Sequence, residues 1–315
     1  MTPLHEEIKD CLVPRGECPM CGCSEAKVHM DFAEFSVHEC VRCSYLFSGK
    51  ILRSDALDKY YAQDFGGKRN RAGQKVVAKA NLVITQKLLG EQLEPGLKVL
   101  DVGCGHGFFM ANLQRQCGIS AIGVEPSLKE SAHARDVLAQ NVVTGLLSEA
   151  SPPKGSFDLI VCFEVIEHVA LPKAFVAELS EYLKPGGRLL IGTDNCRSKV
   201  VKAMGISWPK WIPHSHISHF DGESLPLCVK EAADLKVVAT QSYTPWECLL
   251  MDLKHRLLGR PQKPSFDLEN ELKYEKEGTL KLAALRGLLS PIWSRLAATP
   301  RMDEAMIYVL AEKAE

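Results

Sequence analysis

Two cysteine pairs near the N-terminus have the spacing of metal ligands. Cys18 pairs with Cys21 and Cys40 with Cys43, each as C-x₂-C, and 18 residues separate the pairs. This fits the C-x₂-C-x₁₅₋₂₀-C-x₂-C pattern of tetrahedral zinc. Four thiolates leave no open coordination position, so the pattern predicts a structural Zn²⁺; a redox C-x-x-C or unpaired buried thiols are the alternatives. The reserve ligands are Cys23, His29 and His38.

A second segment combines carboxylates with a histidine. Glu164, Glu167 and His168 directly follow an apolar run. If the segment forms one helical turn, Glu167 and His168 lie at i+3 and i+4 from Glu164, on one face. The three groups would then bind a hard divalent cation such as Mg²⁺, or His168 would act as a general base. The alternative is a turn that only shapes a pocket.

Three histidines lie within six residues of the chain, from His214 to His219. His216 or His219 would complete a site with His168, as further candidate catalytic residues. The alternative is a structural loop with a buried histidine bonded to backbone. Three tryptophans would form an apolar substrate wall or simply part of the core: Trp208, Trp211 and Trp246.

A glycine-rich loop points to a bound nucleoside. Residues 99–108 read V-L-D-V-G-C-G-H-G-F, which predicts a strand, a tight loop and the start of a helix. A dinucleotide fingerprint would place Gly or Ala at position 108, where Phe108 stands. Glu125 follows the next apolar run, where a carboxylate accepts hydrogen bonds from both ribose hydroxyls. The alternative is a sharp strand–helix turn beside a surface glutamate.

The elements that must position these residues alternate between strand and helix. Short apolar runs bounded by Gly, Pro or charge predict buried strands, and three- and four-residue periodicity predicts the helices between them. Such alternation implies a parallel sheet with helices on both faces. The predicted strands are 99–102, 121–124, 142–144, 157–163, 188–192, 237–242 and 305–311. The predicted helices are 70–93, 108–117, 127–139 and 172–183.

These motifs resemble the class I S-adenosylmethionine-dependent methyltransferases. The resemblance covers residues 98–245 most clearly and rests on the glycine loop, on Glu125, on Phe157–Cys162 and on Leu183–Leu189. It implies an α/β, Rossmann-like sheet of seven strands in the order 3-2-1-4-5-7-6, the last antiparallel. It also implies S-adenosylmethionine as cofactor. The implied cofactor-binding residues are Asp101, Gly103, Gly105, Gly107, Glu125 and Leu146.

The segment from Glu164 to His168 resembles a motif of two narrower groups, the ubiquinone-pathway O-methyltransferases and the plant small-RNA 2′-O-methyltransferases. In the matching motif the same residue types hold magnesium. That resemblance implies transfer to oxygen, with Glu164, Glu167 and His168 as catalytic residues.

The chain is expected to divide into three parts. Residues 1–50 form a zinc ribbon, 51–95 a helical cap, and 96–315 a methyltransferase domain with a helical insertion at about 249–303. The polar start and the scattered single cysteines favour a cytoplasmic protein without a leader, and no apolar run is long enough to span a membrane.

The net charge of the chain and of its N-terminal segment distinguishes nucleic-acid acceptors from small-molecule and glycan acceptors. The formal net charge is −1, and residues 1–50 carry 5 Lys and Arg against 8 Asp and Glu, which gives −3. An acidic ribbon is a poor phosphate binder, so a nucleic-acid partner is not expected. The predicted partner is a small-molecule or glycan acceptor. Two alternatives stay open: an RNA methyltransferase whose ribbon binds RNA, and a catalytically silent S-adenosylmethionine-binding interaction protein.

Overall fold

The computed structural model describes residues 10–32, 35–53, 56–57, 60–61, 71–258 and 280–315, without the side chains of 255 and 280–286. The strands are β1 (Leu12–Pro14), β2 (Ala26–Phe32), β3 (Phe35–Cys40), β4 (Leu46–Ser48), β5 (Lys50–Leu52), β6 (Val99–Val102), β7 (Ala121–Glu125), β8 (Asn141–Thr144), β9 (Phe157–Phe163), β10 (Leu183–Asp194), β11 (Ser218–His219), β12 (Leu235–Tyr243) and β13 (Met306–Lys313). The helices are α1 (Arg71–Leu89), α2 (Phe108–Cys117), α3 (Leu128–Asp136), α4 (Leu147–Ala150), α5 (Pro172–Tyr182), α6 (Lys199–Met204), α7 (Ser224–Ala232), α8 (Trp246–Leu258) and α9 (Leu280–Ala297), with short 3₁₀ helices at Gly90–Gln92, Ile166–His168 and Gly205–Ser207.

The central sheet has seven strands in the order β12-β13-β10-β9-β6-β7-β8. Counted along the chain within this sheet, the order is the predicted 3-2-1-4-5-7-6. The strands β6 to β10 pair in parallel, and β13 runs antiparallel to both of its neighbours. The carboxyl ends of five parallel strands therefore meet at one edge, where crevices for ligands form.

Side-chain alternation along the strands builds a core on each face of this sheet. Leu100 and Ile160 join an apolar cluster with α5 and α7, whereas Val99 and Leu159 join another with α1 and α2. Because successive side chains point to opposite faces, strands covered on both sides must be apolar throughout. This is why the short apolar runs predicted these strands, and β6, β9 and α2 have the predicted bounds.

The N-terminal region forms small antiparallel sheets. Strand β1 pairs with β5, and the order β11-β4-β3-β2 makes a four-stranded sheet. Its edge strand β11 comes from residues 218–219, far along the chain. The predicted ribbon of residues 1–50 is thus completed by a piece of the histidine-rich segment.

Helices α8 and α9 occupy the predicted insertion, and α8 begins at Trp246. α9 packs on α1, where Lys79 Nζ donates to Gly287 O at 2.9 Å. Residues 1–9, 62–70 and 259–279 of the predicted segments lie outside the described residues. Within the described part of the chain, no helix is long and apolar enough to cross a membrane.

Candidate active site

The glycine loop joins β6 to α2 and is fixed by Glu125 at the end of β7. Gly105 N donates to Glu125 Oε2 at 2.8 Å, and Ser127 N donates to Oε1, also at 2.8 Å. Gly103 has φ of +73°, and a Cβ there would lie 2.3 Å from Val165 Cγ2, so a side chain is excluded for two reasons. The loop backbone is therefore held open beside a buried carboxylate.

Two cavities flank this loop. The larger, about 490 Å³, is lined by Asp101, Gly103 and Gly105 among others. The smaller, about 290 Å³, is lined by Gly103, Glu125 and Leu146. Five of the six predicted cofactor residues therefore line these two adjoining cavities, and Gly103 borders both.

Gly107 lines neither cavity. It is the N-cap of α2 with φ of +78°, and a Cβ there would lie 2.8 Å from Ala134 Cβ. This glycine lets the loop enter α2 close to α3, and its predicted contact with the cofactor stays a prediction.

The environment of Asp101 suits it to pair with a positively charged group of a ligand. Its Oδ2 is buried and has no hydrogen-bond partner among the described residues. Burial, and then the charge of Glu125, raise the pKa of Asp101 from 3.8 to about 8. An ammonium group beside it would favour the ionised carboxylate, and S-adenosylmethionine carries one at its amino-acid end. The site thus fits this cofactor.

The segment after β9 does not form the predicted helical turn. Glu164 has φ of +54°, which turns the chain away before the 3₁₀ helix Ile166–His168 begins. As a result Glu167 and His168 point toward His216, and the donor atoms of these three residues lie within 4.8 Å of one another. Glu164 is not in this group, so the predicted Glu164–Glu167–His168 ligand set is wrong.

Hydrogen bonds orient two members of the group. His168 Nδ1 lies 2.9 Å from Ser215 O, so it carries the proton and leaves the lone pair of the neutral ring on Nε2. Glu167 Oε2 accepts from Thr193 Oγ1 at 2.8 Å, and its Oε1 is buried with no hydrogen-bond partner in the described structure. Burial, and then the charges of Asp194 and Glu164, raise the pKa of Glu167 to about 8.

Glu164 instead belongs to an ion-pair cluster that the sequence did not predict. Lys210 Nζ lies 3.8 Å from Glu164 Oε1 and 3.4 Å from Asp194 Oδ2. Burial raises the pKa of Asp194 to about 6, against the opposing effect of Lys210. Asp194 ends β10, and this position at the carboxyl edge of the sheet is a signal that would have found it. Lys210 lies in an irregular segment and carries no such signal.

His219 does not join His168. It lies in β11, where its buried ring contacts Trp211 at 5.1 Å between ring centroids. Burial lowers its pKa from 6.5 to about 3, so it stays neutral. Trp208 and Trp211 pack together in the apolar cluster beneath the ribbon, which makes Trp211 and His219 core residues.

The comparisons with known proteins agree with this geometry. Residues 75–240, more than half of the chain, match the methyltransferase domain family. The chain belongs to this family. It is 30% identical over 169 residues to the ubiquinone biosynthesis O-methyltransferase of Xanthomonas axonopodis pv. citri (strain 306), a match over 49% of this chain and 70% of that protein. The corresponding enzyme of Xylella fastidiosa (strain 9a5c) is 35% identical over 154 residues, 46% of this chain and 61% of the relative.

A solved structure supports the fold. An S-adenosylmethionine-dependent methyltransferase of Thermotoga maritima, described as a possible histamine N-methyltransferase, superposes with a TM-score of 0.50 at 16% identity. The match covers 83% of this chain and all of that one. Motif, family and fold together identify a class I S-adenosylmethionine-dependent methyltransferase enzyme.

The ribbon of this methyltransferase has a closed set of four thiols. The sulfur atoms of Cys18, Cys21, Cys40 and Cys43 lie within 4.8 Å of one another. A set of four sulfurs is compatible with tetrahedral Zn²⁺. The reserve ligands are engaged elsewhere: Cys23 Sγ with Glu25 O, His29 Nδ1 with Glu39 Oε2, and His38 Nε2 with Ser36 Oγ.

The ribbon also holds the histidine-rich loop of the methyltransferase, residues 213–219. Ser48 Oγ donates to Pro213 O at 2.8 Å, and Ser48 N donates to Ile217 O at 3.1 Å. The Arg15 guanidinium donates to Ile217 O at 2.8 Å and to Ala170 O. The ribbon is therefore packed against the backbone that carries His216.

Proposed function

We propose that this methyltransferase transfers a methyl group to an oxygen atom of a small-molecule acceptor. The observation that carries the proposal is His168, which lines both cavities and whose Nδ1 hydrogen bond to Ser215 O makes Nε2 the basic nitrogen of the ring. A neutral imidazole can take the proton of a hydroxyl group. The relatives named as ubiquinone biosynthesis O-methyltransferases support oxygen as the methylated atom.

The residues proposed to hold S-adenosylmethionine are Asp101, Gly103, Gly105, Glu125 and Leu146. When bound, the cofactor supplies a sulfonium methyl group, and transfer forms the oxygen–carbon bond as the carbon–sulfur bond breaks with its electron pair on sulfur. Asp101 would pair with the ammonium group, and Glu125 would accept from the ribose hydroxyls. Leu146, at the start of α4, would pack against the adenine.

His168 has a second possible role, shared with Glu167 and His216. Their donor atoms are close enough for one divalent ion, and the buried Oε1 of Glu167 offers a carboxylate oxygen. One carboxylate and two imidazoles suit a transition ion or Zn²⁺ better than Mg²⁺, which prefers oxygen ligands. A bound cation would stabilise the deprotonated acceptor oxygen.

For the domain organisation we propose a zinc ribbon over 1–50, completed by β11, a helical cap over 51–95 and a methyltransferase domain over 96–315. The ribbon's acidic balance and its engagement with the histidine loop support a scaffolding role rather than RNA binding.

The test is transfer of isotopically labelled methyl groups from S-adenosylmethionine to a panel containing a phenol, an alkyl glucoside, an alkylamine and total RNA. We expect the label in an ether, identified by mass spectrometry. Label found only on nitrogen, or only in RNA, contradicts the proposal, and no transfer to any fraction of a cell extract favours the silent binding protein.

A further inference from the structure

A separate apolar chamber of about 280 Å³ opens beside the larger cofactor cavity. It lies among α1, α6 and α8, with the ends of β10 and β12 and the start of β13 as its floor. Aliphatic, aromatic and thioether groups dominate its surface. Representative lining side chains are Val76, Ala80, Met204, Trp208, Met251 and Met306.

The chamber adjoins the cofactor cavity. Residues that line both are Gly73, Val77, Glu164, Pro209 and Lys210. A hydroxyl group at this shared boundary would therefore lie next to the space bordered by Asp101 and His168.

Charge is concentrated at this junction. Lys210 Nζ lies between Glu164 Oε1, at 3.8 Å, and Asp194 Oδ2, at 3.4 Å. The cluster offers both hydrogen-bond donors and acceptors to a hydroxyl group. The other side chains of the chamber lining with a polar hydroxyl, thiol or carboxyl group are Tyr243, Glu247, Cys248 and Ser290. The chamber is thus polar at its inner end and mainly apolar beyond it.

We propose that this chamber binds the methyl acceptor, and that the acceptor is a hydroxyl group on an apolar, ring-sized body rather than a sugar. The inference rests on the proposed O-methylation and names its substrate class. An apolar body gains by leaving water, and the junction cluster directs the hydroxyl toward the donor. A sugar of the same size would bury several hydroxyls against apolar walls, where each unpaired group is costly.

Neighbouring positions on α8 provide a matched pair of variants. Cys248 lines the chamber, whereas Leu249 is 38% exposed and does not. Cys248→Trp should fill the chamber, and Leu249→Trp adds the same side chain outside it. A second pair, Met251→Asp and Leu250→Asp, places a charge inside or outside the chamber and serves if Cys248→Trp does not fold.

The probe is 2-naphthol, measured by equilibrium dialysis against the full chain saturated with S-adenosylhomocysteine, with methyl β-glucoside as the sugar. We expect saturable binding of 2-naphthol to the wild type and to Leu249→Trp, and binding weaker by about tenfold or more in Cys248→Trp. Calorimetry should show unchanged S-adenosylhomocysteine affinity in all three proteins.

Equal 2-naphthol binding in Cys248→Trp and the wild type would overturn the assignment of the chamber, as would tighter binding of the glucoside than of 2-naphthol. Both results leave the proposed function standing. If the wild type does not bind S-adenosylhomocysteine, or labels only nitrogen, it is the proposed function that fails.

Discussion

Asp101 is the residue whose charge bears most directly on the cofactor. Its pKa in the folded protein is about 8, raised by burial and by Glu125 from an ordinary 3.8. Between these two values the folded chain holds a proton that the unfolded chain has released. The free energy of unfolding contributed by this group therefore falls as pH rises through that window, and at higher pH Asp101 is a buried charge without a partner. A cationic ligand group would supply that partner.

We expect S-adenosylhomocysteine affinity to rise with pH between about 6 and 8, by up to about tenfold per pH unit, because the bound ammonium favours ionised Asp101. In Asp101→Asn this pH dependence should disappear. Calorimetry at several pH values measures it. Asp158→Asn is the control, since Asp158 pairs with Lys184 at the far end of β9. An unchanged slope in Asp101→Asn would contradict the assignment.

His168→Ala separates the two roles of the histidine. As a general base, His168 should account for about 10²–10⁴-fold in kcat, with no effect of EDTA on the wild type. If His168 is a metal ligand, we expect EDTA to inactivate the wild type and a divalent transition ion to restore its activity. S-adenosylhomocysteine affinity should persist in both cases. His133→Ala, at a position that lines neither cavity, is the control; normal turnover of His168→Ala without EDTA sensitivity refutes both roles.

At the scale of elements, strand β4 and the histidine loop form one unit. β11 pairs with β4 through Ser218 opposite Phe47 and His219 opposite Leu46. Ser48, at the end of β4, is fully buried and bonds the loop through both its side chain and its backbone. The position of His216 therefore depends on a strand about 170 residues earlier in the chain.

Ser48→Ala should lower kcat while sparing cofactor affinity. The substitution leaves Pro213 O without its donor, which costs about 1–3 kcal/mol in the free energy of unfolding and loosens the loop that carries His216. Steady-state kinetics and calorimetry with S-adenosylhomocysteine check the two expectations. Ser36→Ala, on β3 of the same sheet, should leave kcat unchanged. A parallel loss of cofactor affinity in Ser48→Ala would show that the defect is general misfolding.

At the scale of the whole molecule, the ribbon and the catalytic sheet are tied together by charge as well as by β11. The guanidinium of Arg197 lies 3.1 Å from Glu39 Oε1 and 3.0 Å from Asp221 Oδ2, and it donates to Ser44 O at 2.7 Å. Glu39 and Ser44 flank the second cysteine pair. Unfolding of the ribbon would therefore break these contacts and destabilise the part of the methyltransferase domain that carries Arg197.

We expect one Zn²⁺ per chain in protein purified without added metal, measured by elemental analysis. Cys40→Ser should abolish that stoichiometry and unfold the ribbon, because a module this small depends on its metal for stability. Hydrogen exchange should also speed up in residues 213–219, which the ribbon holds. Cys23→Ser is the control, since Cys23 lies outside the set of four thiols and its Sγ donates to the backbone carbonyl of Glu25. A fully folded, metal-free wild type would rule out the zinc site.

Local patterns in the sequence were enough to predict the central sheet, the glycine loop and the cluster of four thiols. Apolar runs bounded by breakers locate β6 and β9 because strands buried on both faces must be apolar throughout. The C-x₂-C pairs bring four sulfurs together because each pair is a short local turn, and a hairpin joins the two pairs.

Contacts between distant segments decided the rest. The backbone of Glu164 has a left-handed conformation, so its side chain lies away from Glu167 and pairs with Lys210. Nothing in the local sequence indicates this conformation. His219 is fixed in β11 against Trp211 and does not meet His168, whereas His216 lies in the loop before that strand and reaches His168. Spacing along the chain was enough to predict which residues could be chemically active. Which of them meet, and which cavity they face, depends on how the ribbon and helices α1, α6 and α8 pack onto the sheet.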